Sequence, residues 1–212
     1  MTIAENIARI RANMAAAARE AGRDPKEILL GASKMNDAAA CREAVAAGID
    51  ALGENRVQEM VQKLEQHAYD GAPLHFIGHL QRNKVKQVVG HVALIQSVGS
   101  LELLDEIEKV AAARGLVQDI LLEVNIGREA AKSGFAPEKV LPAAEAALER
   151  THVRVRGLMT IPPADAQRDA NFRYFQEVQA LYVDMNQKLF HNELEYLSMG
   201  MSGDYEDAIR AG

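Results

Sequence analysis

The sequence predicts an α/β protein folded as a (β/α)8 barrel, and three observations lead there. Short apolar or β-branched runs alternate with longer segments of helical periodicity along the chain. Alternation of this kind implies parallel strands joined by helical crossovers. Most polar residues that could carry chemistry follow the strands, as they do at the functional face of a barrel. An open doubly wound sheet satisfies the same alternation and is the alternative.

The chain begins with a helix and continues with strands. Ile3, Ile7, Ile10 and Met14 recur at helical spacing and build one apolar face ahead of any strand. Seven candidate strands follow, at 28–33, 50–54, 74–78, 93–98, 119–125, 152–159 and 194–200.

Recognisable ends delimit the helices between these strands. Asn36 or Asp37 can cap the helix that Gly48 terminates, and Ser100 can cap the helix that Gly115 terminates. The longest helix is predicted near 168–190, where a stripe of large apolar side chains indicates core packing.

The strand count falls one short of a closed barrel. A typical barrel has eight strands and about 250 residues, whereas this chain of 212 residues supplies seven. We expect one barrel domain over residues 1–212 that lacks its closing strand, with residues after Gly212 supplying that strand in the full protein, because an unpaired strand edge exposes hydrogen-bonding groups.

Composition excludes several classes of protein. The chain has 24 Lys and Arg against 30 Asp and Glu, for a net charge of −6, which argues against a general nucleic-acid or anionic-membrane binder. The single cysteine, Cys41, excludes an internal disulfide and a cysteine metal cluster, and we expect it to be a buried, inert thiol. No run reaches the roughly 18 apolar residues of a membrane span, and the first residues lack the features of a signal peptide. We therefore expect a cytoplasmic, globular protein.

Lys34 is the first residue that could do chemistry. It ends the first predicted strand in GASKMND, between small residues and a helix cap. A lysine at a barrel mouth can form a Schiff base when its surroundings hold it partly deprotonated. Taken alone, the position is more often that of a solvated lysine in a turn.

The segment LSMGMSGDYEDAI at 197–209 follows the last predicted strand and opens a helix. Gly200, Ser202 and Gly203 allow close backbone approach, and amides at such a turn attract phosphate. An ordinary Ser/Gly helix cap with Asp204 in the first turn explains the same residues equally well.

Two further stretches place polar residues after strands. HFIGHLQRNKVK at 75–86 puts His79, Gln81 and Asn83 near a ligand at a strand end, while its basic run is more often a solvated helix face. The four-residue spacing of His75 and His79 along a strand does not suit a zinc pair. In GENRVQE at 53–59, Asn55 is either a helix cap, which is favoured, or a ligand contact.

Taken together, these stretches resemble the pyridoxal phosphate homeostasis protein family over essentially the whole chain. GASKMND is similar to the family's lysine motif, GENRVQE to GEN-x-x-QE, and HFIGHLQRNKVK to WHFIGxLQxNK, the most diagnostic stretch. VNIGREAAKSG, RGLMTIPP and LSMGMSGDYEDAI follow in the family's order. Two departures are Met35-Asn36-Asp37, where members often have Thr, Lys and Pro, and the absence of the terminal strand R-x-G-x-x-I-F-G.

The resemblance implies an alanine-racemase-like barrel that binds pyridoxal 5′-phosphate (PLP) as a Schiff base on Lys34. It implies that Ser202 and Gly203 hold the phosphate, and that Asn55, His79 and Met159 border the cofactor. The absent strand would close the barrel, add Gly/Thr amides to the phosphate site and place an arginine opposite the pyridine nitrogen.

From the resemblance we expect an intracellular PLP-binding protein that buffers the cofactor, has PLP-dependent apo-enzymes as partners, and is a monomer or weak dimer. No catalytic or metal-ligating residue is assigned. The alternatives are a PLP-dependent amino-acid racemase or decarboxylase, and a phosphate-binding barrel without PLP in which Lys34 contacts a sugar phosphate.

Overall fold

In a computed structural model that describes residues 1–130, 132–163 and 168–212, the chain forms seven strands and eight α-helices. The strands are β1 (Leu30–Ala32), β2 (Ala51–Glu54), β3 (Leu74–Phe76), β4 (Leu94–Val98), β5 (Gln118–Glu123), β6 (Val153–Met159) and β7 (Tyr196–Ser198). The helices are α1 (Ile3–Glu20), α2 (Ala38–Ala46), α3 (Val57–Glu65), α4 (Val85–Val88), α5 (Leu101–Arg114), α6 (Val140–Leu148), α7 (Arg168–Leu189) and α8 (Tyr205–Ala211). Every predicted strand is confirmed, with shifts of at most two residues at either end.

The seven strands form one parallel sheet in chain order, β1 to β7. A doubly wound sheet reverses its strand order at a switch point, so the unbroken order rules that alternative out.

The sheet is also strongly curled. The Ser198 hydroxyl on β7 donates to Gln96 Oε1 on β4 at 2.7 Å, although three flat strand spacings would separate these strands by about 14 Å. The architecture is an open barrel, and no other described strand pairs with the outer edges of β1 and β7.

Alternation along the strands separates two apolar regions. Ile120 and Leu122 of β5 face outward into the large core between the sheet and the helices, while Leu121 between them faces inward and packs with Leu94 and Met159 inside the barrel. The long α7 buries Phe175, Val178 and Met185 completely, as its apolar stripe predicts.

Local signals fix the ends of the helices. Asp37 caps α2, since its carboxylate accepts a hydrogen bond from the Ala40 amide at 2.8 Å. Ser100 caps α5 in the same way, and Gly115 ends that helix in a left-handed conformation at φ 64°. These caps confirm the predicted ends of α2 and α5.

Cys41 is buried in α2, and burial raises the pKa of its thiol, in agreement with an inert packing role. Among the helices in the described ranges, none is long and apolar enough to cross a membrane.

Candidate functional site

The six site residues predicted from the sequence line one cavity of about 1750 Å³ at the carboxyl ends of the strands. They are Lys34, Asn55, His79, Met159, Ser202 and Gly203. The cavity continues along the gap between β1 and β7, where Leu30 and Leu197 line it, as far as Ile7 on α1. Small-molecule sites commonly measure about 300–1,000 Å³, so the space is ample for a cofactor-sized ligand.

Lys34 lies in the turn that follows β1 and is exposed. Its amine forms neither a hydrogen bond nor an ion pair with any residue that the structure describes. The backbone of the turn, in contrast, is well held. The Lys34 carbonyl accepts from the Asn36 side-chain amide at 3.2 Å, and the Ser33 carbonyl accepts from the Asn36 backbone amide at 3.1 Å. An unpaired amine on a fixed turn is free to react with a ligand.

A buried polar cluster lies directly behind this turn. Glu54 at the end of β2 is fully buried, and its Oε1 accepts from Lys63 Nζ at 2.6 Å, from the Ser33 hydroxyl at 2.7 Å and from the Tyr69 hydroxyl at 2.9 Å. Burial, together with the hydrogen bond to Glu54, raises the pKa of Tyr69, which keeps this phenol protonated and donating. The cluster ties β2 and α3 to the turn that carries Lys34.

Asn55 does not cap α3, so the favoured interpretation of this residue is wrong. The helix begins after Arg56, which occupies the cap position without a side-chain cap bond. Asn55 Oδ1 is instead buried with no hydrogen-bond partner among the described residues. The loop after β3 comes close to the Asn55 backbone, because a Cβ on Gly78 would lie 2.2 Å from the Asn55 carbonyl oxygen. An unsatisfied buried acceptor in the cavity lining is suited to a ligand contact.

Only part of the stretch at 75–86 lines the cavity. His79 lines the cavity, whereas Gln81 and Asn83 are exposed and lie outside its lining, contrary to the ligand-facing interpretation of these two residues. His75 is buried at the cavity floor, where burial lowers its pKa from 6.5 to about 4. The described residues contain no group of three or more His, Cys, Asp or Glu side chains arranged to hold a metal ion.

A polar relay crosses the cavity floor. The Ser198 hydroxyl donates to Gln96 Oε1, and Gln96 Nε2 lies 2.9 Å from His75 Nδ1. Beside this relay, Glu123 accepts from the Ser133 hydroxyl at 3.1 Å, while its Oε2 has no partner among the described residues. Burial raises the Glu123 pKa. Met159, at the end of β6, supplies the apolar part of the same floor.

The turn after β7 presents unused hydrogen-bond donors. Gly200 adopts φ +88°, and a Cβ there would lie 2.8 Å from the Tyr205 Cα. Asp204 occupies the cap position of α8 rather than its first turn, and its side chain makes no cap hydrogen bond. Its carboxylate accepts from the Met201 amide at 2.6 Å and from the Asn171 side chain at 3.0 Å, and so braces the turn.

Three donors of this turn are left over. The Ser202 hydroxyl and the amides of Ser202 and Gly203 donate to no described residue. The acidic residues that follow in α8 are offset by Arg210, which pairs with Glu206 and Asp207. A nest of free donors of this kind suits an anionic oxygen group.

Several residues of the site were not among the predicted ones, although the sequence carried signals for them. Lys63 falls on the apolar stripe of α3, three residues after the fully buried Met60, where a charge is unexpected. Gln96 and Glu123 interrupt the apolar strands β4 and β5 at inward-facing positions. A charged or amide side chain inside an apolar periodicity is the feature that would have identified all three.

Comparison with known proteins gives a consistent result over the whole length. Residues 6–211 match the family model described as alanine racemase, N-terminal domain. Relatives named pyridoxal phosphate homeostasis protein from Aquifex aeolicus and Pseudomonas aeruginosa are each 41% identical to the chain over 100% of its length, and the match covers 93% and 90% of those proteins. The protein of that name from Escherichia coli is 35% identical over 99% of this chain and 91% of its own length.

Solved structures give the same result. PipY from Synechococcus elongatus, solved with PLP bound, aligns with a TM-score of 0.84 at 30% identity, over 100% of this chain and 94% of PipY. The structure of PipY without PLP aligns with a TM-score of 0.88 at 31% identity. An alanine racemase from Clostridium difficile, at 15% identity and a TM-score of 0.65, covers 88% of this chain and 48% of the racemase, and this likeness concerns the fold alone.

Proposed function

We propose that this chain, which belongs to the pyridoxal phosphate homeostasis protein family, binds PLP in the cavity bordered by Lys34 and serves the intracellular homeostasis of that cofactor. The observation that carries the proposal is a pair of unused groups facing one cavity. An unpaired amine follows β1, and three unpaired hydrogen-bond donors follow β7. An aldehyde and a phosphate on one small molecule match this pair.

The chemistry of these residues matches the aldehyde and the phosphate of PLP. PLP supplies an aldehyde that condenses reversibly with a primary amine, and a phosphate that acts as an anchor. In the proposal Lys34 provides the amine that carries PLP as a Schiff base. The Ser202 hydroxyl and the amides of Ser202 and Gly203 donate to the phosphate oxygens, where hydrogen bonds to a charged acceptor are strong.

The other three predicted residues border the cofactor in this proposal. Asn55 offers an acceptor whose buried oxygen has no partner in the described chain. Met159 offers an apolar surface for the ring, and His79 contributes a polar group at the wall. Because the net charge of the chain is −6, a phosphate has to be held by local donors rather than by the general field of the protein.

We further propose that the protein acts as a carrier in the cytoplasm, delivers PLP to apo-enzymes, and does so as a monomer or weak dimer without catalysis of its own. The exposure of Lys34 at the cavity mouth supports delivery, because a ligand bound there stays accessible to a second protein. A single buried, free cysteine supports a reducing compartment.

Titration with PLP, followed by visible absorbance, tests the binding proposal. The wild-type chain is expected to develop the absorbance of a PLP–lysine adduct at saturation. Lys34→Ala should bind PLP reversibly without that absorbance, and the control Lys109→Ala, which removes an exposed lysine of α5, should behave as wild type. An adduct spectrum that persists in Lys34→Ala would reject Lys34 as the residue that carries PLP. A spectrum that never forms in the wild type would favour a phosphate-binding barrel without PLP.

A further inference from the structure

A buried ion pair stands immediately behind the turn that carries Lys34. Lys63 Nζ and Glu54 Oε1 lie 2.6 Å apart, and the two side chains are 8% and 0% exposed. Charges are rarely buried to this degree. A buried ion pair often contributes no more to stability than apolar side chains of the same volume, so stability alone does not explain charges at this place.

The lysine of this pair reaches the backbone next to Lys34. Lys63 Nζ donates to the Ser33 carbonyl at 2.8 Å, and the same carbonyl accepts from the Asn36 amide at 3.1 Å. Two donors therefore fix the direction of the peptide that joins Ser33 to Lys34. One oxygen of Glu54 accepts hydrogen bonds from both the Lys63 ammonium and the Ser33 hydroxyl. The carboxylate therefore contacts Ser33 directly, through its hydroxyl, and indirectly, through Lys63.

Helix α3 makes a second contact with the same turn. Glu59, one helical turn before Lys63, accepts from the Met35 amide at 3.4 Å. Met35 adopts φ 62°, a left-handed conformation that a non-glycine residue seldom takes without support. Residues on one face of α3 thus contact the backbone on both sides of Lys34.

We propose that Lys63, held by Glu54, is a positioning residue that aims the Lys34 amine into the cavity by fixing the Ser33–Lys34 peptide. The inference rests on the proposed function, because its effect is on the reaction of Lys34 with PLP. It also assigns opposite roles to two lysines that are close together. The Lys63 amine is committed to Glu54 and Ser33, and the Lys34 amine is left free to react.

The test replaces both charges at once. Lys63→Met alone leaves the Glu54 carboxylate unpaired in the interior and is expected to destabilise the fold. The double variant Glu54→Gln/Lys63→Met removes the ion pair and keeps an acceptor for Ser33 and Tyr69. The matched control is Arg150→Met, which removes a partly buried ion pair with Asp105 in the loop before β6, at the opposite end of the barrel.

Two measurements are made on folded protein, as judged by circular dichroism. The first is the rate at which borohydride traps PLP on Lys34 across pH 6–9, alongside the affinity for inorganic phosphate. In the double variant we expect the trapping rate to fall at least tenfold, while phosphate affinity stays within twofold of wild type. Arg150→Met should match wild type in both. A double variant that traps PLP within twofold of the wild-type rate would overturn the inference.

The second measurement needs no cofactor. The Met35 amide donates to Glu59 and the Asn36 amide donates to the Ser33 carbonyl. Hydrogen exchange of these two amides should accelerate at least tenfold in the double variant and stay unchanged in Arg150→Met. Unchanged exchange would overturn the positioning role whether or not PLP binds. If the wild-type chain traps no PLP, the proposed function is rejected, and hydrogen exchange still decides whether Lys63 positions the turn.

Discussion

At the scale of single residues, two lysines close to each other in space have opposite environments. Lys34 is exposed and has no partner in the described chain, whereas Lys63 is buried against Glu54. Because the Lys34 amine makes no contact among the described residues that stabilises the fold, it can react with a ligand without loss of folding stability. The difference supports the assignment of the reactive role to Lys34.

Replacing Lys34 with Ala should leave the fold intact. Since the side chain is exposed and makes no hydrogen bond within the described chain, we expect the free energy of unfolding to change by no more than about 0.5 kcal/mol. Denaturant unfolding monitored by circular dichroism measures this change. A loss of several kcal/mol would mean that Lys34 is a structural lysine and would remove it from the reactive role.

Replacing Ser202 with Ala should weaken PLP binding through the phosphate. The loss of one hydrogen bond is expected to cost about 0.5–3 kcal/mol, with the larger value for a charged acceptor. Equilibrium titration with PLP gives the affinity, and pyridoxal without phosphate is the control ligand, for which the variant should match wild type. Equal weakening for both ligands would place the phosphate away from the turn after β7.

Residues at strand ends could be predicted, whereas the pairing of buried residues with one another could not. Lys34, His79 and Ser202 follow recognisable strands, and the carboxyl ends of parallel strands meet at one rim, so their convergence follows from topology. For Asn55, read alone, the sequence favours a helix cap over a ligand contact because Asn suits a cap, but α3 starts one residue later than a cap at Asn55 requires. The Glu54–Lys63 pair depends on a contact between β2 and α3 that no local pattern encodes.

At the scale of elements, the pairing of β6 with β7 brings the turn at 200–204 to the cavity. Gly157 of β6 is in register with Tyr196 of β7 and adopts φ +152°. A Cβ at this position would lie 1.7 Å from the Tyr196 carbonyl oxygen. The close approach of the two strands therefore requires a residue without a side chain.

Gly157→Ala should separate β6 from β7. We expect a loss of about 1–3 kcal/mol in the free energy of unfolding, as for other overpacked interiors, together with weaker PLP binding because the turn after β7 moves. Gly203→Ala is the stability control, since a Cβ there meets nothing within 4 Å. If Gly157→Ala unfolds at the same denaturant concentration as wild type, the close packing at this pair is wrong.

Element positions were predictable because their signals are local. Alternating runs located all seven strands, and Asp or Ser ahead of a helical segment located the caps at Asp37 and Ser100. The predicted strands are longer than the observed ones, as in 28–33 against Leu30–Ala32, because apolar residues continue beyond the last paired position.

At the scale of the whole molecule, the curled sheet gathers residues from distant parts of the chain around one cavity. The alternation of strands and helices predicted parallel order, but the curl is set by contacts across the interior, such as Ser198 with Gln96. These two residues are far apart in sequence, so only the assembled sheet reveals the floor of the site.

His75 in that floor should make the stability of the whole protein sensitive to acid. Its pKa falls from 6.5 to about 4 on folding because of burial, so the unfolded chain binds the proton more tightly. His75 therefore stabilises the folded state fully above pH 6.5, and this contribution is lost as the pH falls toward 4. The shift corresponds to about 3 kcal/mol.

Comparing the stability of the wild type with that of His75→Gln separates the effect of His75 on acid sensitivity from the effect of the carboxylates. Between pH 7 and pH 4, the free energy of unfolding of the wild type should fall by about 3 kcal/mol more than that of the variant. Parallel pH profiles for the two proteins would show that His75 is not buried as a neutral side chain.

The central claim is that one amine, Lys34, carries PLP. Peptide mapping of the wild-type protein after incubation with PLP and reduction with borohydride tests it most directly. We predict that the mass of the reduced PLP adduct appears on the peptide that contains Lys34. It should be absent from the peptides that contain Lys63 and Lys132, whose amines pair with Glu54 and Glu129. An unmodified Lys34 peptide, or a stoichiometric adduct on another lysine, would contradict the account.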